Sequence, residues 1–213
     1  MAELTFRVNT NDREILQEQK SEYRGLRYQD SIVLDIGCHV GYFARNAIEQ
    51  GAKYVVGYEP HPDNFKLAQL HLEGVPCRVF NMAVVSQALA DSGDSAMLYS
   101  RAESTDKSNH SLYIQGGRTG INVRTVGFKE ALATDPFSLL KVDIEGGEYA
   151  LDFSLLPDSI KMVAIEFHFG KKRWKEIDVW RILKDLRALG FKATKQPMLY
   201  GKHWNTTGNW ERP

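Results

Sequence analysis

The sequence predicts an α/β fold, a doubly wound and mostly parallel sheet carrying a β-hairpin-like insertion. Three observations carry that reading. Short apolar runs alternate with helical stretches through residues 32–82, and again through 137–196. The clearest of these runs is nearly continuous in apolar character, as expected for a strand covered by helices on both faces. The connections between runs are short, the signature of βαβ units.

Taken in order, residues 1–30 form a polar N-terminal extension, with an extended start over Leu4–Val8 and a helix from about Asp12 to Tyr23. Asp12 is placed to cap that helix, with Ile15, Leu16 and Gln19 following at helical spacing. Ile32–Ile36 is the first core strand, and a glycine-rich turn leads into a helix from Tyr42 to Gln50 that stops at Gly51. Lys53–Glu59 reads as the second strand. Pro62 opens a helix that ends at Gly74, and Cys77–Met82 is the third strand.

The rhythm breaks between about Ser86 and Gly120, where Ser, Asp, Gly and Asn dominate, within an insertion spanning residues 86–127. Met97–Ser100 and Ile121–Val126 flank this stretch as strands, which makes it a hairpin-like insertion suited to an acceptor site. Tyr113 and Arg118 are its candidate pocket residues. Phe128–Ala133 is helical, Phe137–Ile144 and Met162–Phe169 are strands, and residues 175–189 form a helix. On that helix Val179, Ile182, Leu183, Leu186 and Leu189 share one stripe, with Trp180 off it and Gly190 closing it. Phe191–Gln196 is the last expected strand. With no repeat and no internal boundary, residues 1–213 read as a single domain.

Bulk composition excludes some classes of function. Lys plus Arg (27) balance Asp plus Glu (27), so no global field draws the chain to nucleic acid or an anionic membrane. The basic run Lys171–Lys175 reads first as a solvated helix start, and nucleic acid is disfavoured as a partner. No apolar run nears the roughly 20 residues of a membrane span. The charged start, MAELTFRVNTNDRE, lacks the apolar centre of a signal peptide. With Cys38 and Cys77 read as reduced thiols, a cytoplasmic location is expected.

Two stretches carry chemistry. In Val33–Gly41 a strand ends at Asp35, the chain turns through Gly37 and Gly41, and a helix begins. The dinucleotide pattern would need glycine where His39 stands, and there is no phosphate loop, so the turn suits a less anionic nucleoside cofactor. Glu59 ends the next strand 18 residues after Gly41, where a carboxylate can accept hydrogen bonds from both ribose hydroxyls. In Leu139–Glu148, period-2 alternation puts Lys141, Asp143 and Glu145 on one face at a strand's carboxyl end. Glu166 and His168 come to the end of the following strand in the same way. Three readings stand side by side: a structural Lys–Asp pair with Glu145 as a cap, a general base at Asp143 or His168, and hard metal ligands at Asp143, Glu166 and His168. No spacing is diagnostic for a metal, so a divalent ion is not favoured.

The first stretch resembles the opening motif of class I S-adenosylmethionine-dependent methyltransferases, an acidic residue followed by G-x-x-x-G. That resemblance implies a Rossmann-like sheet, S-adenosylmethionine as cofactor and S-adenosylhomocysteine as product. It puts Asp35, Gly37, Cys38, His39 and Gly41 around the methionine part, with Tyr42 and Phe43 beginning the helix beneath. It puts Glu59 on the ribose, with Pro60, Asn81, Met82 and Ala83 near the adenine. Lys141–Glu148 is also similar to the K-[IV]-D-[VI]-E-G-x-E signature of the FkbM methyltransferases, as are Val123–Val126 and Ile165–His168. This narrower resemblance implies O-methylation of a sugar or small-molecule hydroxyl, with Asp143, His168 and Glu145 as acceptor-side catalytic residues. A nucleic-acid ribose 2′-O-methyltransferase and a non-catalytic cofactor-binding module are the alternatives.

Overall fold

A computed structural model describes residues 4–100, 110–112, 119–169, 176–198 and 205–213. Along the chain run α1 (Asp12–Glu22), β1 (Ile32–Ile36), α2 (Tyr42–Glu49), β2 (Tyr54–Tyr58), α3 (Pro62–His71) and β3 (Cys77–Phe80). There follow β4 (Ala83–Val85), α4 (Gln87–Asp91), β5 (Ser95–Ser100), β6 (His110–Ser111), β7 (Thr119–Gly127) and α5 (Phe128–Leu132). The chain continues through β8 (Leu139–Val142), β9 (Met162–His168), α6 (Glu176–Ala188), β10 (Lys192–Lys195) and β11 (Asn205–Glu211).

The main sheet has the order β10-β11-β9-β8-β1-β2-β3. Five neighbouring strands, β9, β8, β1, β2 and β3, are parallel, and β11 runs antiparallel to both β9 and β10. Alternation along these strands feeds two cores. Leu34, Ile36, Val56, Leu140, Val142, Val163, Ile165 and Phe167 face α5 and α6. Val33, Val55, Leu139 and Ala164 face α2 and α3, with Tyr23 packed on Phe43 at 5.0 Å. The expected stripe of α6 is in place: Val179, Ile182 and Leu186 are fully buried, while Trp180 is 47% exposed.

β11 corrects the expected topology. Phe191–Gln196 was to be the last strand, but β10 does not touch β9, because β11 lies between them. Trp210 anchors the inserted strand, its ring edge-on to Phe167 at 6.2 Å. The insertion is hairpin-like, with β5 antiparallel to β7 from Ser95↔Arg124 to Ser100↔Thr119. It is also broader than a hairpin, since β4 joins β7 in parallel and β6 adds to β5. Tyr113, Arg118 and Lys171–Lys175 lie outside the described residues.

Smaller boundaries shift for local reasons. Asn11, not Asp12, is the N-cap of α1. The Asp12 carboxylate is taken by Arg7, whose Nη2 is 2.7 Å from Oδ1 and whose Nε donates to Oδ2 at 3.0 Å. β8 stops at Val142, because Glu145 and Gly146 take positive φ (51° and 94°), which no strand allows. β3 stops at Phe80, and the Asn81 side chain turns back to donate to the carbonyls of Glu59 and Pro60, both at 2.9 Å.

Candidate active site

The turn after β1 is shaped by contacts between chain segments. Gly37 has φ +83°, and a Cβ there would sit 1.8 Å from the carbonyl oxygen of Asp143. Gly41, at φ +85°, would push a Cβ to 2.7 Å from Leu72 Cδ1. Both glycines therefore answer to the fold first, where the sequence pattern suggested a close approach to ligand. His39, also at positive φ (51°), presents its backbone N–H to Glu59 Oε2 at 2.9 Å. The His61 N–H donates to Glu59 Oε1 at 2.8 Å. Burial lifts Glu59 to about 7, against the pull of those two amides. The Asn64 side chain is a third donor to this carboxylate, which leaves it room for one more.

Beneath this turn lies an ion pair with no exposure at all. β1 and β8 place Asp35 opposite Lys141, and Nζ stands 3.1 Å from Asp35 Oδ1 and 3.4 Å from Asp143 Oδ2. The same Nζ donates to the Gly37 carbonyl at 2.7 Å and lies under the rings of Tyr23 and Phe43. Burial opposes charge on Lys141, but Asp35 and Asp143 outweigh it and hold the ammonium charged. Burial pushes the Asp35 carboxyl up, and Lys141 pulls it back.

At the carboxyl ends of β8 and β9 four carboxylates surround one imidazole. His168 Nε2 is 3.8 Å from Asp143 Oδ1, 3.7 Å from Glu145 Oε1 and 3.6 Å from Glu166 Oε1. Its Nδ1 faces Glu148 Oε1 at 3.4 Å. Glu148 is fully buried and pinned by the backbone N–H groups of His168 (2.7 Å) and Gly146 (2.9 Å). Burial works against a charged His168, but Glu145, Glu148 and Glu166 prevail and raise it well above its ordinary range. Burial, then the Asp143 charge, raise Glu166 in turn.

One cavity joins the two ends. Of the residues singled out in the sequence, Gly37, His39, Glu59, Pro60, Met82, Ala83, Asp143, Glu145 and His168 line it, and Glu166 joins them. Asp35, Cys38, Gly41, Tyr42, Phe43 and Asn81 do not, and stand behind the wall. The insertion contributes Leu98, His110 and Leu112, with the His110 ring stacked on His61 at 4.0 Å.

Sequence reading missed the N-terminal contribution. α1 supplies Ile15, Glu18, Gln19 and Glu22 to the cavity wall. The segment before α1 is strapped down by Arg7, which bonds Asn64 Oδ1 at 2.7 Å and reaches His39 Nε2 at 3.2 Å. Thr5 is tied to the His71 ring, whose Nδ1 donates to Val40 O at 2.8 Å. The spacing of Ile15 and Gln19 showed an amphipathic helix, but nothing local says which face of a sheet such a helix covers.

Residues 35–193 match the family model of the methyltransferase FkbM domain. The chain belongs to the FkbM methyltransferase family. As a member it takes its methyl group from S-adenosylmethionine. A solved structure titled methyltransferase FkbM, from Methylobacillus flagellatus KT, aligns with a TM-score of 0.55 at 13% identity. That alignment covers 92% of this chain and 50% of the other. A putative tRNA methyltransferase from Streptococcus pneumoniae, in complex with S-adenosyl-L-methionine, gives 0.50 at 13% identity, over 93% of this chain and 72% of that one. At such identities the likeness shows the fold alone, the Rossmann-like sheet of class I methyltransferases. No curated protein matches the FkbM-family chain significantly. Among its described residues no helix is long and apolar enough to cross a membrane.

Proposed function

We propose that this FkbM-family methyltransferase is an O-methyltransferase acting on a hydroxyl of a small acceptor, a sugar or natural product. The observation that supports the reading best is the two-ended cavity, with Glu59 at one end and Asp143, Glu145, Glu166 and His168 at the other. The residues fit the donor chemically. Glu59 keeps acceptor capacity for a ribose hydroxyl, Pro60, Met82 and Ala83 offer surface beside it for an adenine, and Gly37 and His39 form the turn between the ends. The wall holds no Lys or Arg among the described residues, which favours a cationic donor and disfavours a phosphate-bearing acceptor such as RNA.

Bound S-adenosylmethionine supplies an electrophilic methyl carbon on a cationic sulfur and leaves as neutral S-adenosylhomocysteine. The work of the chain is then positioning and proton removal. Asp143, partly open to the cavity at 18% side-chain exposure, is the assigned base for the acceptor hydroxyl, with Glu145 beside it. His168 holds these carboxylates in place. Asp35, Cys38, Gly41, Tyr42, Phe43 and Asn81 shape the donor turn from behind. We read the chain as one methyltransferase domain whose insertion narrows the acceptor entrance. Its two free thiols suit a reducing, cytoplasmic setting.

Calorimetric titration with S-adenosylmethionine and, separately, NAD tests the donor site. Micromolar binding of the methyl donor alone is expected, weakened about tenfold or more in Glu59→Gln, the loss of one charge-assisted bond or two. Absence of donor binding by the wild type would sink the functional reading. With Glu59 titrating near 7, the ionised fraction climbs from about a tenth at pH 6 to about nine-tenths at pH 8. Donor affinity should accordingly rise up to about tenfold across that interval, and Glu59→Gln should flatten the profile. An equally steep profile in the variant assigns the titration elsewhere and removes Glu59 from the donor site.

A further inference from the structure

We propose that the carboxyl ends of β8 and β9 form a divalent-cation site, with Asp143, Glu166 and His168 Nε2 as ligands and Glu145 beside them. The proposal rests on the cavity being the methyl-transfer site only for the use made of the ion, not for its binding.

The geometry is the first support. One ligand atom each from Asp143, Glu166 and His168 lies within 4.8 Å of the others. The carboxylate oxygens of Asp143, Glu145 and Glu166 stand 3.6–3.8 Å from Nε2, too far for hydrogen bonds. Ligands about 2.1 Å from a shared ion are spaced about 3.0 Å apart at a right angle and about 3.6 Å apart at 120°. The spacings from the ring to Asp143 and Glu166 need to close by only a few tenths of an ångström. Lys141 meets Asp143 through Oδ2 at 3.4 Å, which leaves Oδ1 as the oxygen that faces the ring.

Behind the ring, Nδ1 faces the buried, doubly anchored Glu148. A histidine that binds metal through one nitrogen gives its other N–H to a carboxylate in the same way. The separate pointer comes from α1. Gln19 is 8% exposed and lines the same cavity, yet its side-chain Oε1 has no hydrogen-bond partner. Buried amide oxygens are nearly always bonded, so this one awaits a donor that a ligand brings, such as a metal-bound water. Several carboxylates with one imidazole suit Mn²⁺ or Mg²⁺ better than a thiolate-seeking ion. At this place the ion would hold the acceptor oxygen and make its hydroxyl more acidic, and with Asp143 engaged as a ligand the proton would pass to Glu145.

The test uses the full chain, stripped with chelator and then dialysed, and titrated with Mn²⁺ alone by calorimetry and paramagnetic resonance. One ion per chain is expected with Kd tighter than about 100 µM. Asp143→Asn and Glu166→Gln should each weaken it at least about tenfold, and Glu148→Gln by about tenfold or more through the ring it holds. If Glu166→Gln does not fold by circular dichroism, Asp143→Asn, at the open edge of the cluster, decides alone. No saturable uptake by the wild type, or uptake that Asp143→Asn leaves unchanged, overturns the site. Because no methyl donor is present, failure here is separate from failure of the donor reading.

Discussion

Gly37→Ala is expected to cost more than about 4 kcal/mol of stability, enough to leave little native protein at 37 °C. Two effects add at this one position. Its φ of +83° lies where side chains other than glycine are strained. The new methyl carbon would also stand 1.8 Å from the Asp143 carbonyl oxygen, which is backbone and cannot swing aside. Relief requires β1 and β8 to part where the Asp143 N–H bonds the Ile36 carbonyl at 3.0 Å. Urea denaturation of the variant checks the value. A midpoint within experimental error of wild type would mean that the turn is looser than described. Gly74→Ala is the matched control: its φ is also positive, at +71°, but nothing lies within 4 Å of the added Cβ.

Lys141→Met should destabilise the fold by about 3–5 kcal/mol, since it strands the Asp35 charge in a site without solvent. The loss has a pH signature. Alone in that site, Asp35 would carry a folded-state pKa well above its unfolded value. Its protonated form would then preserve stability below the unfolded pKa, and that stability would drain away as pH rises through the folded one. The variant should accordingly lie closer to wild type at pH 4 than at pH 7. Adding Asp35→Leu to Lys141→Met removes the orphaned charge, and the double variant should recover much of the stability while losing the tether to the Gly37 carbonyl. If the single and double variants melt together at pH 7, the ion pair is not what holds these strands.

How much of this was legible in sequence depends on range. β1, β2 and β8 could be read because each is a short apolar run that stops at an acid or a glycine, and parallel strands end where ligands bind. Glu59 followed from its place at a strand end. His168 was placed on the right strand end, but its role was not, because the charges around it come from four positions at different distances in sequence. Glu148 passed as one letter of a motif, though it anchors the His168 ring. β11 escaped for another reason: Asn205–Glu211 is polar, contains glycine, and offers only Trp210 to a core. α1 showed its helical spacing but not its destination. The contacts that fix it, such as Tyr23 against Phe43, join distant parts of the chain.

The place of β11 sets an order of assembly. Among the described residues β10 pairs with β11 alone, and β9 has an open flank until β11 fills it. The α6–β10 unit can pack its apolar stripe early, but its strand cannot zip into the sheet before a later segment arrives. For that interval β9, buried and apolar in the native state, presents a bare edge able to pair with another chain. The window for misassembly in this methyltransferase therefore opens once β9 is made and closes only with the docking of Trp210.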